Sequence, residues 1–120
     1  MSFDWKEYLN LALFLHGHRG GSFTQEAAFR WATSRAYYAA FCHARNYARN
    51  QHGFSLTHSS RDHELVRNHF RNRGMTKIAR KLDTLRRWRN SCDYDDAVSN
   101  VSRLVASAIA EAQEIIGRLT

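Results

Sequence analysis

Residues 34–42 read Ser34-Arg35-Ala36-Tyr37-Tyr38-Ala39-Ala40-Phe41-Cys42. Wound at helical pitch, this stretch is nearly apolar all round, and a helix of that kind is covered on several sides. It predicts a central helix, which the flanking sequence extends from about Thr24 to Asn50. Ser22 followed by Gln25 reads as a capping box at its start. Gly53 stands just past its end and serves as a stop.

The rest of the chain organises around that helix. Before it, Trp5, Tyr8, Leu9, Ala12 and Leu15 form one stripe of a helix from about Ser2 to His16, with Gly17 as its stop. After it, Ser59 with Asp62 opens a short helix, about Ser60 to Arg71, and Gly74 closes that segment. A fourth helix follows from about Thr76 to Ser91. Asp95 or Asp96 then caps a fifth, about Ala97 to Leu119. In that last helix Val98, Val101, Val105, Ala108, Ala112, Ile115 and Leu119 alternate spacings of three and four. Leu104 and Ile116 widen the seam into the face of a bundle rather than a strict two-stranded coil. The fold expected is all-α: an antiparallel four-helix bundle with an additional short helix, one domain spanning residues 1–120.

Composition agrees. The chain has 120 residues, 43% apolar and 24% charged, which are globular values. It contains no proline, which disfavours a turn-rich sandwich or barrel. The two cysteines, Cys42 and Cys92, make no disulfide framework. The apolar run Leu11–Leu15 is too short to export or to span a membrane. A cytoplasmic location with reduced thiols is the expectation.

Charge is concentrated. Of the 18 basic residues all but Lys6, Lys77 and Lys81 are Arg, and the formal net charge is +7. From Gly17 to Cys92 fifteen basic residues face four acidic ones. Arginine offers a planar fork suited to phosphate, and a concentrated basic segment is the footprint of a phosphate-binding face. The blander use of such charge is a solvated helix face.

Two arginines interrupt apolar stripes. Arg35 fills the slot between Ala28, Trp31, Ala32 and Tyr38, Ala39, Cys42. Arg89 continues the stripe Ile78, Leu82, Leu85 toward Cys92. Seam charges demand partners, because an unpaired buried charge is costly. Those partners are either internal acids and hydroxyls or the phosphate of a ligand. Arg89-Asn90-Ser91-Cys92-Asp93-Tyr94-Asp95-Asp96 follows at the junction of helices four and five, with more polar chemistry than a cap needs.

The segment Ser34–Phe41 together with Leu85-Arg86-Arg87-Trp88-Arg89-Asn90-Ser91-Cys92-Asp93-Tyr94 resembles the HEPN family (higher eukaryotes and prokaryotes nucleotide-binding). The likeness covers about Phe3 to Arg118 and is strongest at residues 27–45 and 82–96. It implies a helical bundle that often forms a homodimer. It also implies RNA or a nucleotide as ligand, with Arg35, Tyr38, Arg86, Arg89 and Asn90 as binding residues. Many members are metal-independent ribonucleases serving as toxins or in phage defence. Others partner small nucleotidyltransferases in toxin–antitoxin pairs. In the nuclease members an Arg is followed, after four to six intervening residues, by a His. Arg89 takes the Arg position here, but Tyr94, Asp95 and Asp96 occupy the three later positions and no His occurs after His69. The sequence carries Asp-Tyr instead, so Arg89, Asp93 and Tyr94 would be the catalytic set of any ribonuclease. The expectation is binding, with weak or no cleavage.

Other chemistries find less support. His16 and His18, and His58, His63 and His69 near Asp62 and Glu64, lack the spacing of a helical zinc pair. They read as exposed residues on a basic face, so neither metal nor cofactor is expected. Cys42 and His43 are neighbours pointing about 100° apart, and both cysteines read as small buried residues. Gly17-His18-Arg19-Gly20-Gly21 lacks the Gly-Lys-Ser/Thr of a phosphate loop and reads as a turn. Trp31 and Tyr38 read as core, while Trp88 lies off its stripe and is left open as a stacking ring.

Overall fold

The computed structural model describes residues 2–120. Its elements are α1 (Lys6–Gly17), α2 (Gln25–His52), α3 (Asp62–Asn72), α4 (Thr76–Tyr94) and α5 (Val101–Arg118). No strand occurs among the described residues. The all-α bundle with a short third helix is thus the observed architecture.

Helix α2 is the axis, touching each of the other four helices. Its packing surface includes a row of alanines at every fourth position: Ala28, Ala32, Ala36, Ala40, Ala44 and Ala48, all buried. Residues spaced by four form a ridge inclined to the helix axis. A ridge of single methyl groups lets neighbouring helices approach closely. The large core residues Leu82 and Leu85 of α4, Val105 and Ile115 of α5 and Phe70 of α3 are buried around it.

The apolar face of α5 is consumed by this core: Val105, Ala108, Ala112, Ile115 and Leu119 are fully buried. It is therefore not free to pair with a second copy. Exposed apolar side chains lie elsewhere, among them Leu11, Leu13 and Phe14 on α1, Phe23 before α2 and Trp31 on α2. Trp31, expected in the core, is 52% exposed. Trp88 packs partly buried against the core.

Helix ends depart from the sequence reading. Thr24, not Ser22, caps α2, its Oγ1 accepting from the Ala27 N–H at 3.1 Å. Helix α4 runs on to Tyr94, so the expected junction is its last turn and a half. Asp95 and Asp96 do not open α5. Their carbonyls, with that of Cys92, accept hydrogen bonds from the Arg30 guanidinium at 2.6–3.2 Å. Helix α5 starts only at Val101, behind Asn100, which sits in the left-handed region at φ 53°. Asp62 does not close a capping box either. Its carboxylate accepts from the backbone N–H of Thr57 and of His58 and from the Thr57 hydroxyl at 2.7–3.0 Å, tying down the loop before α3.

Candidate functional site

Three arginines from two helices converge on the tyrosines of α2. The Arg35 guanidinium lies 4.7–5.1 Å from the ring centres of Tyr8, Trp31 and Tyr38. Arg89, from α4, lies 5.4 Å from Tyr38 and 5.5 Å from Tyr37. Tyr38 is thus shared by both stripe arginines. Arg86, one turn before Arg89, donates to Asp83 at 3.0 Å. Cations over aromatic faces gain about 0.5–2 kcal/mol each, depending on desolvation.

Their hydrogen bonding is incomplete. The Nε atoms of Arg35, Arg86 and Arg89 are buried without a partner. These three alone, among the side-chain atoms of the described residues, are buried and unsatisfied. A buried donor left unmade costs about 1–3 kcal/mol. Arg35 has no carboxylate; its one side-chain hydrogen bond goes to Ser34 Oγ at 3.2 Å. Arg89 meets the Asp93 carboxylate only at 3.6 Å, one turn along α4. Asp93 also accepts from Ser34 Oγ at 3.5 Å.

Two adjoining clefts open on these groups. One, of about 640 Å³, is lined by Arg35, Arg45, Trp5, Tyr8, Tyr38 and Phe41 on one side and by Ser59, Ser60 and His63 on the other. The second, of about 550 Å³, is lined by Arg61, Arg67, Arg86 and Arg89, with Glu64 as its one carboxylate. Tyr38, Ser60 and His63 border both. The first cleft is aromatic with cations at the rim; the second is a ring of guanidiniums. Together they present stacking surfaces beside fork-shaped donors, the chemistry that holds a base and its phosphate.

His63 is the group that sequence reasoning missed. It stands second in α3, and its Nδ1 is hydrogen-bonded to the Tyr37 hydroxyl. Its ring stacks on Phe41 with centres 4.2 Å apart. Burial, and then the charges of Arg89 and Arg67, hold the imidazole below its ordinary pKa. Burial pushes the Tyr37 phenol well above its own, so it stays protonated. A signal was present: His63 stands three and seven residues before Val66 and Phe70, both buried, and so shares the core-facing side of α3.

The remaining sequence candidates separate. Arg35, Tyr38, Arg86 and Arg89 come together at the clefts. Asp93 stands behind Arg89 as its carboxylate neighbour. Asn90 and Tyr94 line neither cleft, and Tyr94 is 76% exposed. The turn at Gly17–Gly21 also lies outside both clefts. Cys42 and Cys92 are buried free thiols whose pKa values are raised by burial. His52 Nδ1 and His69 Nε2 meet at 2.8 Å, but no group of three metal-ligating side chains forms among the described residues. No helix there is long and apolar enough to cross a membrane.

The fold and the site together define an all-α bundle with an arginine-lined cleft between its central and penultimate helices. Residues 22–119 match the HEPN domain, and the chain belongs to that family. Comparison with curated proteins and with solved structures found no significant match in either.

Proposed function

We propose that this HEPN protein binds single-stranded RNA or a nucleotide in the double cleft between α2, α3 and α4. The observation that carries the reading is the trio of buried, unpartnered Nε donors on Arg35, Arg86 and Arg89. A purely structural network would have paired them. A phosphate in the cleft meets the outer nitrogens of Arg86 and Arg89, which line it. Aromatic side chains at Trp5, Tyr8 and Tyr38 give a base a surface to stack on.

The family and the basic cleft support a role in a prokaryotic toxin–antitoxin or phage-defence system, in the cytoplasm and beside a nucleotidyltransferase partner. A homodimer belongs to the same proposal. The exposed apolar residues Phe14, Phe23 and Trp31 support it, and sedimentation at micromolar concentration tests it.

The binding test is a filter assay with a short RNA at two salt concentrations. Arg89→Ala weakens binding by about tenfold or more, the value of a charged hydrogen bond of about 1.5–3 kcal/mol. It also lowers the salt slope by about one. Lys77→Ala, on a lysine paired with Glu114 outside both clefts, leaves binding unchanged. A folded wild-type protein that binds neither RNA nor nucleotide sinks the reading.

A further inference from the structure

Three guanidiniums gather around a single carboxylate, that of Asp83 on α4. Its Oδ1 accepts from Arg86 Nη2 at 3.0 Å, and Arg67 Nε lies 3.6 Å from the same oxygen. Its Oδ2 lies 3.4 Å from Arg87 Nε. Arg86 and Arg87 stand three and four residues further along α4, the spacing that brings side chains together on a helix. Arg67 comes from α3, and its pair with Asp83 is the one ion pair among the described residues that joins α3 to α4. Burial alone would push the Asp83 carboxyl up. The Arg86 hydrogen bond and the charges of Arg86, Arg67 and Arg87 outweigh it and hold the group below its ordinary pKa, so it is ionised at neutral pH.

Asp83 itself lines neither cleft, whereas Arg67 and Arg86 both line the second one. The carboxylate therefore takes the two arginines from outside the cleft. It occupies Nη2 of Arg86 and faces Nε of Arg67, whose Nη1 donates to the His63 carbonyl at 3.0 Å. Arg86 Nη1 and Arg67 Nη2 make no hydrogen bond among the described residues. We propose that Asp83 is the positioning residue of this cleft: one carboxylate that holds Arg67 of α3 and Arg86 of α4 with their remaining nitrogens free for the phosphate of a ligand. The proposal rests on the binding reading above. Arginine side chains are rich in rotamers, and a guanidinium already held in place loses less freedom when it grips an anion. Arg87, outside both clefts and with a side chain 64% exposed, draws on the same carboxylate without facing the ligand.

Charge and position predict opposite signs here. Asp83→Asn removes a negative charge beside a basic cleft, and charge alone then tightens the hold on a polyanion. Loss of position loosens that hold, because the ligand must itself order two arginines that have swung free. Arg87→Ala inverts the comparison. It removes a cation, which by charge alone weakens binding, but it leaves Asp83 wholly to the two arginines of the cleft.

The test is the binding of a short single-stranded RNA by variants whose circular dichroism matches that of the wild type. Asp83→Asn weakens binding by about tenfold, the cost of ordering two rotamer-rich side chains, and Asp83→Glu, which keeps the carboxylate, recovers part of that loss. With Asp83→Asn already in place, Arg86→Ala costs less than it does in the wild type, because each residue acts through the other. Arg87→Ala does not weaken binding. Should Asp83→Asn fail to fold, Arg87→Ala, at an exposed position, still decides. The assignment is overturned if folded Asp83→Asn binds RNA as tightly as the wild type or more tightly, or if Asp83→Glu binds no better than Asp83→Asn. It is equally overturned if the effects of Asp83→Asn and Arg86→Ala simply add, or if Arg87→Ala weakens binding. Each of these results, with a wild type that binds RNA, leaves the binding reading standing. A wild type that binds no RNA removes both.

Discussion

Arg35 and Arg89 were legible because each breaks an apolar stripe, and a charge at a core position is conspicuous at helical spacing. Their surroundings were not. Nothing in the order of residues shows that Tyr38 serves both guanidiniums, or that Arg35 has no acid. His63 was half legible: its spacing from Val66 and Phe70 marks a core-facing position, but what it meets depends on where α3 docks, and the loop before it has no periodic pattern. Asn90 and Tyr94 stand apart from the clefts: Asn90 follows Arg89 directly and points about 100° away from it, and Tyr94, five residues on, points about 140° away. At this scale the backbone makes one prediction. Asn100 holds a left-handed conformation at φ 53°, which costs most residues about 1–2 kcal/mol and asparagine less. Asn100→Ala lowers stability by about 1 kcal/mol in urea melts, and Asn100→Gly leaves it nearly unchanged.

At the level of elements, the five helices and their order were readable from period and glycine punctuation. The ends were read less well, because long-range bonds overrode local signals. Asp95 and Asp96 looked like caps for α5, but Arg30 reaches across from α2 and holds their carbonyls in the turn after α4. Arg30→Ala removes three charged donors to backbone oxygens. It is expected to cost about 2 kcal/mol of unfolding free energy, and hydrogen exchange at residues 93–100 measures the loosening of that turn. The alanine row of α2 gives a second expectation. Ala40 is fully buried, and Ala40→Leu forces extra methylenes into a close helix contact, at about 1–3 kcal/mol. Ala110→Leu, at an exposed position on α5, leaves stability within about 0.5 kcal/mol.

The whole molecule carries its charge unevenly, and this shapes its response to acid. Burial lowers the pKa of His52, His63 and His69, so each folded imidazole takes a proton less readily than its unfolded counterpart. Their contribution is intact above the unfolded value of 6.5 and declines as pH falls below it. A second decline lies lower. Hydrogen bonds from Lys81 and Arg118 hold Glu114 at about 2 against an ordinary 4.5. Bonds from Thr57 and His58 depress Asp62 despite its burial. Both carboxylates stabilise the fold above their unfolded values and lose that effect as pH falls through the folded ones. Thermal melts from pH 8 to pH 2 are expected to show a plateau and two successive drops in Tm. A Tm that rises on going from pH 7 to pH 5 contradicts the histidine assignments.

Trp31, exposed on α2 with the Arg35 guanidinium 4.7 Å from its ring, has an optical consequence. Indole emission responds to nearby charge and to water. An anion that draws on Arg35 changes both at once, without any label being attached. Trp5 lines the same cleft as Arg35, whereas Trp88 packs against the core beside Lys81. Subtracting the spectrum of Trp31→Phe from that of the wild type isolates the one indole in contact with Arg35. The protein thus carries its own fluorescent gauge of whether that arginine is occupied.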